Sequence, residues 1–152
     1  MCSCSCRGYA DEFPVCNPAS TSVTQIVMTY GDMHGTIPEA VGSFVDMANF
    51  SVSGNDIRGP LPSSLQNWTK LTEFEVNINQ ISGAALPALP FKKMQSCYLL
   101  SGPILDKNAF ACPWPAGATA TCLKFADNGN GTLSWKPITD SDCTPQLPSS
   151  PQ

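Results

Sequence analysis

The chain has a single histidine, His34, so any Ser-His-Asp or Cys-His arrangement would have to be built around it. Such a base must be held by a third group, and His34 stands between Met33 and Gly35 in a turn, the setting of a solvated loop residue. Paired carboxylates could act as general acid and base, and Glu73 and Glu75 would project to the same side of a strand. As same-face neighbours they read as part of an acidic binding surface or as a solvated pair. Cys2-Ser-Cys4-Ser-Cys6 could hold a soft metal as thiolates. Zinc sites draw ligands from separated elements, however, and no second Cys or His cluster lies at zinc spacing. Asp127-Asn-Gly-Asn-Gly-Thr132 begins like a calcium loop, but Gly129 and Gly131 occupy positions where side-chain oxygens are required, so it reads as a turn. The residue types thus point away from an enzyme, and to no metal and no cofactor.

What could position a binding surface is a 24-residue repeat. Val23-x-x-Ile26-x-Met28-x-x-Gly31-x-Met33-x-Gly35-x-Ile37-Pro38-x-x-Val41-x-x-Phe44 overlays Met47-x-x-Phe50-x-Val52-x-x-Asn55-x-Ile57-x-Gly59-x-Leu61-Pro62-x-x-Leu65-x-x-Trp68 without a gap. Self-similarity at this period means stacked coils sharing one core, since no single coil can bury its own apolar face. Each repeat opens with apolar-polar alternation, as in Asn49-Phe50-Ser51-Val52-Ser53, which is the period of a short strand with one buried face. The chain then turns at Asn55, whose side-chain amide can turn inward to satisfy backbone groups left unpaired there. Stacked copies would form a ladder that Gly31 breaks and that Asn55, Asn79 and Asn108 continue. Glu39 to Phe44 and Ser63 to Trp68 carry apolar positions three apart, fitting a turn or two of 3₁₀ or α-helix on the far side.

The third coil begins in register at Leu71 and slips after Gly83, and Leu86-Pro87-Ala88-Leu89-Pro90 is too rich in proline for a helix of any length. A fourth begins at Met94-x-x-Cys97-x-Leu99 and recovers the repeat phrase only at Asn108-Ala-Phe110-Ala-Cys112. Such departure is expected of a capping coil, with Trp114, Pro115 and the segment from Cys122 to Cys143 covering the last apolar face. The expected organisation is an N-terminal cysteine-rich cap at 1–22, three repeats at 23–93, an irregular last repeat and C-terminal cap at 94–143, and a Pro/Ser tail or linker at 144–152.

Of the 152 residues 13% are charged, with 14 prolines and 11 glycines, a composition suited to a loop-rich stack of short strands. A net charge of −4 argues against nucleic acid or an anionic membrane as partner. The eight cysteines flank the repeats: Cys2, Cys4, Cys6 and Cys16 before them, Cys97, Cys112, Cys122 and Cys143 after. That distribution reads as disulfide-tied caps in an oxidising compartment. If Cys16 pairs with Cys4 or Cys6, two cysteines are left for another chain or for sequence upstream. Three N-glycosylation acceptors, at Asn49, Asn67 and Asn130, agree with secretion. No stretch reaches the roughly 18 apolar residues of a membrane span and none is a signal peptide, so the sequence reads as a mature or truncated product.

The repeat phrase resembles the leucine-rich repeat family, in its plant-type 24-residue subclass, over Val23 to Lys93. Met, Val, Phe and Ile often stand where that family uses Leu. With Asn108-Ala-Phe-Ala-Cys112-Pro-Trp-Pro115 and a downstream cysteine, the chain also looks like extracellular repeat proteins of protists such as the surface antigens of kinetoplastids. The resemblance implies an α/β solenoid: a short right-handed coil stack with a parallel sheet on its concave face, 3₁₀ or short helical turns on the other, and disulfide-tied caps. It also implies a secreted or cell-surface protein that binds rather than catalyses. The outward strand positions are the expected contact residues: Gln25, Val27, Thr29, Tyr30, Asn49, Ser51, Ser53, Glu73, Glu75, Asn77, Ser96 and Tyr98. The expected partner is a protein, peptide or glycan. The alternative is a structural glycoprotein subunit that self-associates into an extracellular fibre, coat or matrix.

Overall fold

Apolar-polar alternation gives every coil one short strand, and these strands lie side by side because each leaves its backbone groups open to the next coil. The computed structural model describes residues 15–16, 22–102 and 107–145. The strands are β1 (Val15–Cys16), β2 (Val23–Val27), β3 (His34–Gly35), β4 (Asn49–Ser51), β5 (Asp56–Gly59), β6 (Glu73–Glu75), β7 (Gln80–Ala85), β8 (Ser96–Leu100), β9 (Ala109–Ala111), β10 (Leu123–Asp127) and β11 (Leu133–Pro137). They form a seven-stranded sheet, β1-β2-β4-β6-β8-β10-β11, and a four-stranded sheet, β3-β5-β7-β9. In the first, β2, β4, β6, β8 and β10 run parallel, closed at either end by an antiparallel partner, β1 and β11. Cys2, Cys4 and Cys6 lie outside the described residues, as does the side chain of Cys16.

The second sheet is parallel throughout and was not expected from the repeat. It arises because the residues after each turn are extended and pair coil to coil. His34 therefore lies exposed on an edge strand rather than in a free loop. The irregularity expected after Gly83 is visible as a register shift, with Ser82 opposite Ala109 but Ala85 opposite Ala111.

The asparagine ladder forms between coils. The Asn55 side-chain oxygen accepts hydrogen bonds from the backbone N–H groups of Gly31 and Met33, both at 3.0 Å, while its amide donates to the carbonyls of Met28 and Val52 at 2.8 Å. Asn79 accepts from the Ile57 N–H at 3.0 Å and donates to the Val52 and Val76 carbonyls. Asn108 serves Ile81, Val76 and Leu99 in the same manner. Gly31, lacking a side chain, is thus served by the coil that follows it.

On the opposite side, Pro38 and Pro62 start 3₁₀ turns at Glu39–Ser43 and Ser63–Asn67. Glu39 reaches into the next coil, where its carboxylate accepts the Ser63 and Ser64 N–H groups at 3.0 Å. Hydrogen bonds from Ser64, above all its side chain, hold that carboxyl below the usual range. Between the layers, Met47, Leu65, Trp68, Leu71, Phe74 and Val76 are fully buried, with the Phe50 ring 5.0 Å from Trp68 and 5.9 Å from Phe74.

Past β9 the repeat gives way to a cap. Disulfides join Cys97 to Cys122 and Cys112 to Cys143, tying the last coil to the segment that covers it. A short helix, α1 (Ala118–Thr121), leads into the β10–β11 hairpin. Trp114 is buried against Phe110 and donates its indole N–H to the Thr139 carbonyl at 2.8 Å. The chain then returns to the four-stranded sheet, where Thr144 bonds Phe110 and Cys112 backbone groups beside β9. Lys124 pairs with Asp142. Burial raises the Asp142 pKa, but hydrogen bonds from Lys124 and Thr139 outweigh it and hold the group below its ordinary value.

Candidate functional site

Strand register sorts the expected contact residues into rows across the outer face of the seven-stranded sheet. Gln25, Asn49, Glu73 and Ser96 stand opposite one another, and so do Val27, Ser51, Glu75 and Tyr98. The side chains between these rows, Phe50, Phe74 and Cys97, are buried beneath the sheet.

Neighbours in a row bond to each other. Asn49 donates its amide to Glu73, Ser51 its hydroxyl to Glu75 at 3.0 Å, and Ser53 its hydroxyl to Asn77 at 2.7 Å, while the Asn77 amide reaches Ser101 at 2.8 Å. Ser51, Ser53 and Asn77, expected to be open, are in fact buried at 4, 6 and 8% exposure. The physical reason is lateral: short polar side chains one strand apart satisfy one another and close over. Ser53 and Asn77, with Thr29 and Tyr30, also lie beyond the ends of β4, β6 and β2, in the turns. Tyr30 is exposed, in a left-handed backbone conformation, with its ring lying over Gly54.

Gln25, Val27, Asn49, Glu73, Glu75, Ser96 and Tyr98 remain partly exposed. Each of the two glutamates uses its Oε2 to accept the lateral bond. Asn49 Oδ1 is buried without a hydrogen-bond partner among the described residues.

The row does not end at Tyr98. β10 continues the sheet with Leu123 opposite Tyr98, and β11 follows with Trp135 opposite Phe125. Tyr98 reaches across β10, so that its ring centroid lies 4.3 Å from that of Trp135, and Phe125 lies 5.1 Å from Trp135. Trp135 is 41% exposed and Leu133, next along the same face of β11, is 60% exposed. The rings are tilted by 46° and 53°, forming a cluster rather than a flat platform. Phe125, Leu133 and Trp135 were missed as surface residues because the segment from Cys122 was read only as a cover. Their signal was present as strand alternation, in Leu123-Lys-Phe125 and Leu133-Ser-Trp135-Lys.

The other sequence features stay apart from this face. The His34 ring lies 3.4 Å from the Asp32 carbonyl, two residues before it in the chain. Asp127 Oδ1 accepts the Gly129 and Gly131 N–H groups, closing the β10–β11 turn. Among the described residues no three His, Cys, Asp or Glu side chains gather as a metal site would need. Asn67 is exposed at the end of its 3₁₀ turn, and Asn130 is exposed in the hairpin turn, where the Thr132 hydroxyl donates to its side-chain oxygen at 2.6 Å. No described helix is long and apolar enough to cross a membrane.

No protein-family model matches the chain, and no curated protein matches it either. Among solved structures, the BIR3–SERK2 complex from Arabidopsis thaliana is similar at 18% identity and a TM-score of 0.53, over 67% of this chain and 52% of that one. The leucine-rich-repeat ectodomain of the receptor kinase SOBIR1 from the same plant aligns at 16% identity and a TM-score of 0.45, over 59% of this chain and 67% of that one. The chain thus spans about half the length of the first of these structures. At this identity the likeness is one of fold, a solenoid of the leucine-rich-repeat kind.

Proposed function

We propose that this chain is an extracellular, non-catalytic recognition module that binds a protein or peptide segment through the outer face of its seven-stranded sheet. The carrying observation is the Tyr98–Phe125–Trp135 cluster, partly exposed, which continues the row of Glu75. Exposed aromatics beside polar groups are the usual anchors of protein recognition. The mutual tilt of these rings suits a folded or extended peptide better than the flat face of a sugar. Two disulfides stapling the cap agree with an oxidising, extracellular setting. The proposal includes the partition into caps, repeats and tail, the plant-type subclass, and the further resemblance to protist surface antigens.

Selection of short displayed peptides on the immobilised, non-reduced protein tests this reading. Recovered peptides are expected to lose affinity by about tenfold or more with Y98A or W135A, and to be indifferent to alanine at Lys92 and Lys93 on the opposite side. Equal binding to all variants would overturn it. The self-assembling alternative is favoured by one observation, exposed Leu133 on the edge strand β11. Concentration-dependent growth in light scattering that disappears with Leu133→Lys would replace the first reading with the second.

A further inference from the structure

The charged side chains among the described contact residues of the proposed sheet face, Glu73 and Glu75, are both acidic. Glu73 and Glu75 sit two residues apart on β6, so their Cα atoms lie about 7 Å apart along the strand and their side chains leave it on the same face. The ion pairs among the described residues are Arg58–Asp56, Lys70–Asp46 and Lys124–Asp142, and neither glutamate takes part in any of them. Asn49 and Ser51 donate to Oε2 of the two glutamates, and no donor among the described residues bonds either Oε1. One strand further on, Tyr98 stands opposite Glu75 and holds Trp135 at 4.3 Å, with Phe125 behind it. Aromatic faces carry a negative quadrupole, so the rings and the carboxylates favour the same ligand charge.

Resting on the reading above, we propose that the occupant is a basic side chain, arginine in preference to lysine, on an exposed segment of a partner protein. Its head pairs with Glu73 and Glu75 and stacks on the neighbouring Tyr98 ring, and its stem runs toward Trp135. The guanidinium fits because it offers five N–H donors in a plane, matching carboxylate oxygens on one side while stacking on an aromatic ring. A neutral or acidic segment would leave both glutamates facing it without a countercharge. The chain's net charge of −4 draws a basic partner toward the face from a distance.

The probe is the set of displayed peptides recovered on the wild-type protein, each resynthesised with its basic residue replaced by norleucine. Titration calorimetry is run against wild type, E73Q/E75Q and W135A. Glutamine keeps an acceptor oxygen for Asn49 and Ser51, and an unchanged melting temperature shows that the sheet is intact. The expected result is enrichment of arginine over the input library, at least about tenfold weaker binding to E73Q/E75Q, a similar loss on norleucine replacement, and weakening with added salt. Peptides that lose binding to W135A but bind E73Q/E75Q as well as wild type would leave the recognition face standing and overturn the basic occupant. Peptides indifferent to both variants would overturn the face and its occupant together.

Discussion

Asn79 shows how a single side chain holds two coils. It is buried, accepts the Ile57 N–H, and donates to the Val52 and Val76 carbonyls, which Asn55 and Asn108 also serve, so its removal orphans the Ile57 N–H and takes one of two side-chain donors from a carbonyl in each coil. An orphaned buried donor costs roughly 1–3 kcal/mol, and Asn79→Ala is expected to lower stability by about 2 kcal/mol or more in urea unfolding with the disulfides intact. Asn79→Asp should be no milder, because a carboxylate cannot donate to the two carbonyls and brings a charge into the core. A loss near that of an exposed substitution would show that water takes over these bonds. The ladder was legible residue by residue, since only a side chain that is donor and acceptor at once can serve such a turn. Trp135 was not, because nothing in a residue's type tells which face of a cap hairpin will stay uncovered.

The 3₁₀ turns make their contact through the absence of a side chain. A Cβ on Gly42 would stand 2.3 Å from the Ser64 Cβ and 2.5 Å from the Ser64 carbonyl oxygen, so the first turn approaches the second at backbone distance. Gly42→Ala must push the two turns apart, together with the Glu39 carboxylate that caps Ser63 and Ser64. It is expected to cost about 2 kcal/mol or more, whereas alanine at the neighbouring exposed Ser43 should stay within about 0.5 kcal/mol. Thermal unfolding of the two variants side by side decides the matter, and equal melting temperatures would refute the close-approach argument. The turns were readable because proline and apolar spacing mark them in sequence. The four-stranded sheet was not, since it is made by backbone pairing among residues such as Arg58, Gln80 and Gly59 whose types do not encode it.

Across the whole molecule the accessibility of the three acceptor asparagines differs, and with it their expected modification. Asn130 in the hairpin turn and Asn67 at the end of the second 3₁₀ turn are exposed, while the Asn49 amide is bonded to Glu73 in the middle of the sheet. Glycopeptide mapping of protein from a secreting eukaryotic host is expected to find sugar at Asn130 and Asn67 and little at Asn49. Full occupancy at Asn49 would break its bond to Glu73 and put a glycan over the proposed binding face. The stack of coils was legible as a repeat, and the slip after Gly83 reappears as a register shift. The extension of the main sheet through an antiparallel hairpin was not, because the repeat had already ended when β10 began.

Both described disulfides close between the last coil and its cover, and side-chain bonds between successive coils recur at a separation of 24 residues: Asp46 to Lys70 from the first coil to the second, Asn49 to Glu73 and Ser51 to Glu75 from the second to the third. Among the described residues these bonds run from one coil to the next, and the two staples touch none of the regular coils. The number of coils is in this sense a free variable of the design. A lineage could lengthen or shorten the molecule by whole periods of 24 residues, sliding the aromatic hairpin toward or away from the first coil while leaving the hairpin's own chemistry as it is.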